Sequence, residues 1–188
     1  MLSVLDIFRI GIGPSSSHTV GPMRIARTFV RALRKAGKLD RTARITVELQ
    51  GSLALTGVGH GTVDASMLGL MGFAPDSTCP DEAAAALATV HSSHRLALWG
   101  EREIAFDPAA DIDLAGHIIP ELHPNGMQLC AFDGDGTRLS RRTYYSTGGG
   151  FVASEAQLTR KPRGDRINTG TQVPHDFGSA AELLAACS

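Results

Sequence analysis

The segment Gly11-Ile-Gly-Pro-Ser-Ser-Ser-His-Thr-Val-Gly-Pro-Met23 sets the frame for everything after it. Pro22 has no amide hydrogen and is tolerated in a helix only in the first turn, so a helix is predicted to start at about Thr19 to Gly21. Met23, Ala26, Phe29, Val30 and Leu33 then recur every three to four residues, which predicts an amphipathic helix over roughly Val20 to Ala36, stopped by Gly37. Three serines, Thr19 and His18 fall at or just before that helix start. Free amides and the positive end of the helix dipole favour an anion there, and small hydroxyls add donors without blocking it. The plainer alternative is one Ser or Thr acting as an N-cap, with the rest as loop. The opposite helix face carries Arg24, Arg27, Arg31, Arg34 and Lys35, and is read as solvated rather than phosphate-binding because the chain's charge is balanced.

Upstream, Val4 to Phe8 behind Ser3 reads as a short amphipathic start. Downstream, Ile45, Val47 and Leu49 alternate with polar residues and predict a half-buried strand over Ala43 to Gln50, continued briefly by Ser52-Leu-Ala-Leu55. Helices are expected over about Val63 to Leu70 and Asp81 to Ser92. The period then shortens to two. Leu96 to Trp99 and Glu103 to Phe106 flank a Gly100-Glu101 turn, and Gln128 to Asp133 is expected to pair with Thr137 to Ser146 across Gly134-Asp-Gly136. The pattern is α+β. After Gly148-Gly-Gly150 the periodicity is lost and Thr159 to Asp176 reads as a linker. Ser179-Ala-Ala-Glu182 has the spacing of a capping box ahead of an apolar run, which is read as the opening of a further helix and domain.

Composition narrows the class. Among 188 residues, 43% are hydrophobic and 20% charged, close to globular averages, and the formal net charge is -1. Bulk charge therefore supplies no drive toward nucleic acid or anionic lipid. No apolar run approaches the roughly 18 residues of a membrane span, and Asp6 and Arg9 interrupt the first apolar stretch. Cys79, Cys130 and Cys187 are odd in number and far apart, which fits a reduced, cytoplasmic chain in which each is a small buried hydrophobe.

Gly57-Val-Gly-His-Gly-Thr62 is the second chemical constellation. Glycines on both sides of His60 leave its imidazole unshielded and let backbone approach a ligand, so His60 is a functional candidate, with Gly61 and Thr62 as substrate contacts. His123-Pro-Asn-Gly-Met127 supplies a polar turn in which Asn125 is a weaker candidate. Tyr144-Tyr-Ser-Thr-Gly-Gly-Gly-Phe151 ends a strand in three glycines, either a flexible exit or a backbone cradle. Asp133-Gly-Asp-Gly136 lacks the later ligands of a calcium loop and is read as a turn. His91-Ser-Ser-His94 lacks a third metal ligand. No metal site is expected within the chain.

Taken together, the Gly11–Met23, Gly51–Thr62, His123–Met127 and Tyr144–Phe151 motifs resemble, in order and spacing, the N-terminal or beta domain of bacterial iron-sulfur L-serine dehydratases. The resemblance implies conversion of L-serine to pyruvate and ammonia. It also implies an allosteric-substrate-binding-like α+β fold, a mixed or antiparallel sheet with helices packed against it, over 1–157. A linker would span 158–176, and 177–188 would begin a second, truncated domain. That alpha domain would hold a [4Fe-4S] cluster, and this chain none. Ser15, Ser16, Ser17 and Thr19 would bind the substrate carboxylate. The resemblance favours His60 as general base, with His18 orienting substrate or shuttling protons. Expected partners are L-serine, the alpha domain and a second copy in a homodimer, and the chain by itself is expected to be inactive. A regulatory module that senses serine or another small anion, and a purely structural dimerisation domain, are the alternatives.

Overall fold

The computed structural model describes residues 11–160 and 179–187. The early Val4–Phe8 element and most of the expected linker lie outside them.

The first helix, α1, spans Gly21–Lys35 and buries Met23, Ile25, Ala26, Phe29, Val30 and Leu33. Its end is a Schellman arrangement: Gly37 takes φ +64°, its amide donates to the Arg34 carbonyl (3.1 Å) and the Lys38 amide to the Leu33 carbonyl (2.9 Å). The start differs from expectation. A π-helical turn, Ser16–Val20, runs straight into α1, with Ser15 extended at its N-cap and its side chain accepting from the His18 amide. The helical path thus begins three to five residues earlier than the Thr19 to Gly21 start that Pro22 suggested.

Pro22 is accommodated because other segments supply its missing donor. A π-type bond from residue 22 would fall on the Ser17 carbonyl and an α-type bond on that of His18. Instead the Ser17 carbonyl accepts from the Ser146 hydroxyl (2.7 Å) and the His18 carbonyl from the Thr62 hydroxyl (2.6 Å). The defect in the helix becomes two docking points.

Strand β1 (Arg44–Gln50) buries Ile45, Val47 and Leu49 as its alternation predicts. Gly51, at φ 54° and ψ −125°, then breaks it, so Ser52–Leu55 is a helical turn, α2, and not the strand continuation expected. A 3-10 turn at Val58–His60 leads through Gly61, in the left-handed region at φ 63°, into α3 (Thr62–Leu70). Helix α4 (Pro80–Ser93) and the hairpin β2 (Arg95–Leu98) and β3 (Arg102–Ala105) follow the sequence reading closely.

The short α5 (Pro108–Asp111) and β4 (Ile112–Ala115) were not signalled, since four residues carry too little periodicity. Strands β5 (Gly126–Phe132) and β6 (Arg138–Gly148) form the expected antiparallel pair. Asp133 organises their turn, its Oδ1 accepting from the amides of Asp135 and Thr137. Beyond the three glycines, all with positive φ, the chain does not fall silent: β7 (Phe151–Ser154) pairs back on β6, and α6 (Glu155–Leu158) follows. Ser179 caps α7 (Ala180–Ala186) by accepting from the Glu182 amide, as its spacing predicts.

The main sheet runs β4-β1-β5-β6-β7; β4 is parallel to β1 and every other neighbouring pair is antiparallel. The class is α+β with a mixed sheet. Helix α1 packs on α3 and across β6, β5 and β7. The core between them includes Phe29, Ile45, Leu49, Met67, Leu70, Met127 and Leu129. One layer of helix on one face of the sheet brings the start of α1, the end of β1 and the end of β6 to one edge of the domain.

Candidate active site

Two imidazoles meet at that edge. The His18 and His60 ring centroids are 5.1 Å apart, tilted by 40°. Three bonds fix their segments: two reciprocal ones, in which the Thr19 hydroxyl donates to the His60 carbonyl (2.8 Å) and the Thr62 hydroxyl to that of His18, and a third from the Ser146 hydroxyl to the carbonyl of Ser17. Thr19, Thr62 and Ser146 are buried. The fit is close. A Cβ on Gly21 would collide with the Ser146 hydroxyl and lie 2.7 Å from its Cβ, so only glycine allows this approach.

His60 has a defined tautomer. Its Nδ1 lies 2.8 Å from the Thr56 carbonyl oxygen, an atom that only accepts, so Nδ1 carries the hydrogen and Nε2 of the neutral ring keeps its lone pair. The ring is half-buried, in a loop with Leu55 and Val58 exposed beside it. His18 is held at both nitrogens, Nδ1 by the Ser17 hydroxyl (2.8 Å) and Nε2 by the Ser52 hydroxyl (3.1 Å). Burial, and secondarily the neighbouring His60, push its pKa below the usual histidine value, which favours the neutral ring.

Of the serines, Ser15 caps the π turn and lies 3.4 Å from the Ser17 hydroxyl, and Ser16 is exposed. Thr19 and Thr62 use their hydroxyls as donors to backbone, and Gly61 forms the αL joint between the His60 turn and α3. Asn125 is buried and one step removed: its Nδ2 donates to the Ser146 carbonyl (3.1 Å) and its own carbonyl accepts from the Ser146 amide (3.0 Å). Sequence reasoning missed Ser52, Ser146 and the Thr56 carbonyl. The first two stand within motifs already singled out, but a serine beside glycines carries no sign of its partner.

The cysteines depart from the buried-hydrophobe reading: Cys79 and Cys187 are exposed and Cys130 is half-buried. Burial pushes the Cys130 thiol up, away from the thiolate a cluster iron needs. Among the described residues no three His, Cys, Asp or Glu side chains come together as a metal site. Their donors therefore do not fit an iron-sulfur cluster. His91 and His94 stand near different carboxylates, Asp64 and Asp107, each at 3.8 Å. No described helix is long and apolar enough to cross a membrane.

The α+β domain thus locks two imidazoles and a group of hydroxyls together at a helix start. Comparison with known proteins gives the family. The serine dehydratase beta chain family matches residues 3–157, and the chain belongs to that family. It is 51% identical over 186 residues to an L-serine dehydratase of Streptomyces coelicolor, covering 97% of this chain and 40% of that protein. It is 44% identical to the L-serine dehydratase TdcG of Escherichia coli, over 100% of this chain and 40% of the relative. L-serine dehydratase 1 of the same organism is 41% identical over the same shares. The chain thus spans about two-fifths of the length of these relatives.

Proposed function

We propose that this chain is the N-terminal domain of a cytoplasmic L-serine ammonia-lyase and that His60 is its general base. The observation that carries the reading is the His60 Nδ1 contact with the Thr56 carbonyl, which leaves Nε2 as the basic atom. Converting serine to pyruvate requires removal of the α-proton and departure of the β-hydroxyl. His60 Nε2 takes the α-proton, the Cβ–O bond breaks, and the departing hydroxide is released as water. The resulting 2-aminoacrylate tautomerises to an imine, which water hydrolyses to pyruvate and ammonia.

The Ser15, Ser16 and Ser17 hydroxyls and the start of the π turn receive the substrate carboxylate, with the dipole of α1 behind them. His18, kept neutral by burial, orients the substrate and hands protons on through Ser17 or Ser52. Thr19, Thr62, Gly61 and Asn125 then serve the site chiefly by holding those groups in place, through the bonds already described.

Departure of the hydroxyl needs an electrophile that the described residues do not assemble. A [4Fe-4S] cluster on an alpha domain would supply it, in the part of the relatives this chain does not span. The exposed Leu55 and Val58 beside His60, 71% and 76% accessible, offer that domain an apolar landing at the site. In this reading 1–157 form the beta domain, 158–176 the linker and 177–188 the entry to the alpha domain. The whole enzyme is a homodimer, and this chain by itself is inactive.

The test is anaerobic assembly with the alpha domain and replacement of His60 by Ala. Pyruvate formation should fall by about 10²- to 10⁴-fold with little change in melting temperature. Near-normal turnover would remove His60 from the mechanism.

A further inference from the structure

One short turn reaches both imidazoles. Helix α2, with Thr56 as its C-cap, presents the Ser52 hydroxyl to His18 Nε2 (3.1 Å) and the Thr56 carbonyl to His60 Nδ1 (2.8 Å). The turn is itself tied down. The Gly51 amide donates to the Ile118 carbonyl (2.8 Å) and the Ser52 amide to the Pro124 carbonyl (2.9 Å). The Thr56 amide and hydroxyl both donate to the Ser52 carbonyl (3.1 and 3.0 Å). Gly51 enters the turn at positive φ, and a Cβ there would collide with the Pro124 carbonyl, so only glycine fits. Ser52 and Thr56 are left little freedom to move away from the rings.

The two rings meet this turn through different nitrogens. At His60 the Thr56 carbonyl takes a hydrogen from Nδ1. At His18 the Ser52 amide is already spent on Pro124, so the one backbone group of Ser52 left for the ring is its carbonyl, which only accepts. Burial, and secondarily His60, lower the His18 pKa, and the Ser52 backbone works against them, as an acceptor of a ring N–H does. The hydroxyl of the same residue faces the same Nε2. Of the four ring nitrogens, His60 Nε2 alone has no partner among the described residues.

We propose that Ser52 is a positioning residue that commits His18 to the Nε2–H tautomer, so that α2 holds the two neutral imidazoles as opposite tautomers. The lone pair of His18 then lies on Nδ1, where the Ser17 hydroxyl donates to it in the free chain (2.8 Å). The lone pair of His60 lies on Nε2 and stays open. Two rings 5.1 Å apart thereby do not compete for one proton. Without the Ser52 hydroxyl, the His18 hydrogen would be left to a carbonyl that already receives two Thr56 donors, and its tautomer would no longer be fixed. The effect on turnover rests on the lyase reading above; the tautomers do not.

Long-range proton–nitrogen spectra of the full chain with labelled histidine, at about pH 8 where both rings are neutral, test this. His18 should show hydrogen on Nε2 and His60 on Nδ1. Ser52→Ala should turn His18 into a mixture of tautomers with the melting temperature little changed, and Ser52→Thr, which keeps the hydroxyl, should restore the native spectrum. In the enzyme assembled with the alpha domain, Ser52→Ala should lower kcat by about three- to tenfold, the worth of one hydrogen bond, and leave KM nearly unchanged. The spectra need no turnover, and His60→Ala should keep the His18 Nε2–H signal, so their result stands apart from the fate of the proposed base. A native His18 with hydrogen on Nδ1 or spread over both nitrogens, or a His18 spectrum unchanged by Ser52→Ala, would overturn the proposal.

Discussion

Two pairs of histidines in this chain teach opposite lessons about proximity. His91 and His94 are three residues apart in sequence, yet each stands near its own carboxylate, Asp64 or Asp107. His94 is the left-handed C-cap of α4, at φ 51°, which turns it away from the helical register of His91. His18 and His60 lie on separate elements, yet their rings are 5.1 Å apart and their backbones are joined by reciprocal threonine bonds. The local pair is exposed and separately occupied; the distant pair is held within a framework of buried hydroxyls. Proximity follows the framework and not the spacing.

The comparison is broken most severely by forcing the framework apart. Gly21→Val should cost about 3 kcal/mol or more in chemical unfolding, because its side chain must occupy the space of Ser146. A stability loss below about 0.5 kcal/mol would mean that the approach of β6 to α1 is not the constraint described. Thr62→Val keeps shape but leaves the His18 carbonyl without that hydroxyl, and should cost about 1–3 kcal/mol. In the assembled enzyme it should also lower turnover, whereas His91→Gln should not.

Acid should separate the pairs next. The His18 pKa is lower in the folded chain than in the unfolded one, so below the ordinary histidine value the unfolded state binds more protons. Stability should be fully present above that value, fall as pH drops through it, and level off below the folded pKa. His18→Gln should flatten that segment of the pH–stability curve, and an unchanged slope would contradict the assignment. The smallest effect belongs to the local pair: at neutral pH, His91→Gln should alter stability by no more than about 0.5 kcal/mol, since its contact with Asp64 is long and exposed.

Much of the fold is legible because its elements carry their own periodicity. The apolar stripe of α1, the alternation of β1 and the β5–β6 hairpin are each visible in a dozen residues or fewer. The elements that escaped are short or lie next to glycines. α2 follows Gly51, whose backbone turns the chain where alternation alone would continue the strand. β4 exists because β1 offers it a parallel edge, and β7 because the three-glycine turn returns it to β6. Of the site, the types of residue were legible and their duties were not. Four hydroxyls and an imidazole before a proline announce a helix start, but not which of them bond to carbonyls across the domain. The arginine stripe was legible in part for the same reason: Arg31, Arg34 and Lys35 are exposed as expected, but Arg24 and Arg27 are half-buried against carbonyls of other segments, and a helical wheel shows which residues share a face, not what closes over it.

By itself, then, the sequence determined the class of secondary structure, the register of α1 and β1, and membership in the serine dehydratase beta chain family. These depend on local torsional preference, side-chain periodicity and motif order, all properties of neighbouring residues. The tertiary structure decided which carbonyls would receive the bonds Pro22 cannot make, which nitrogen of His60 would keep its lone pair, and which arginines of α1 would be anchored on other segments. The bonds at Pro22 and those of Arg24 and Arg27 join segments far apart along the chain and exist only once the core has packed, whereas the His60 contact spans four residues and depends on the shape of a turn that alternation does not show.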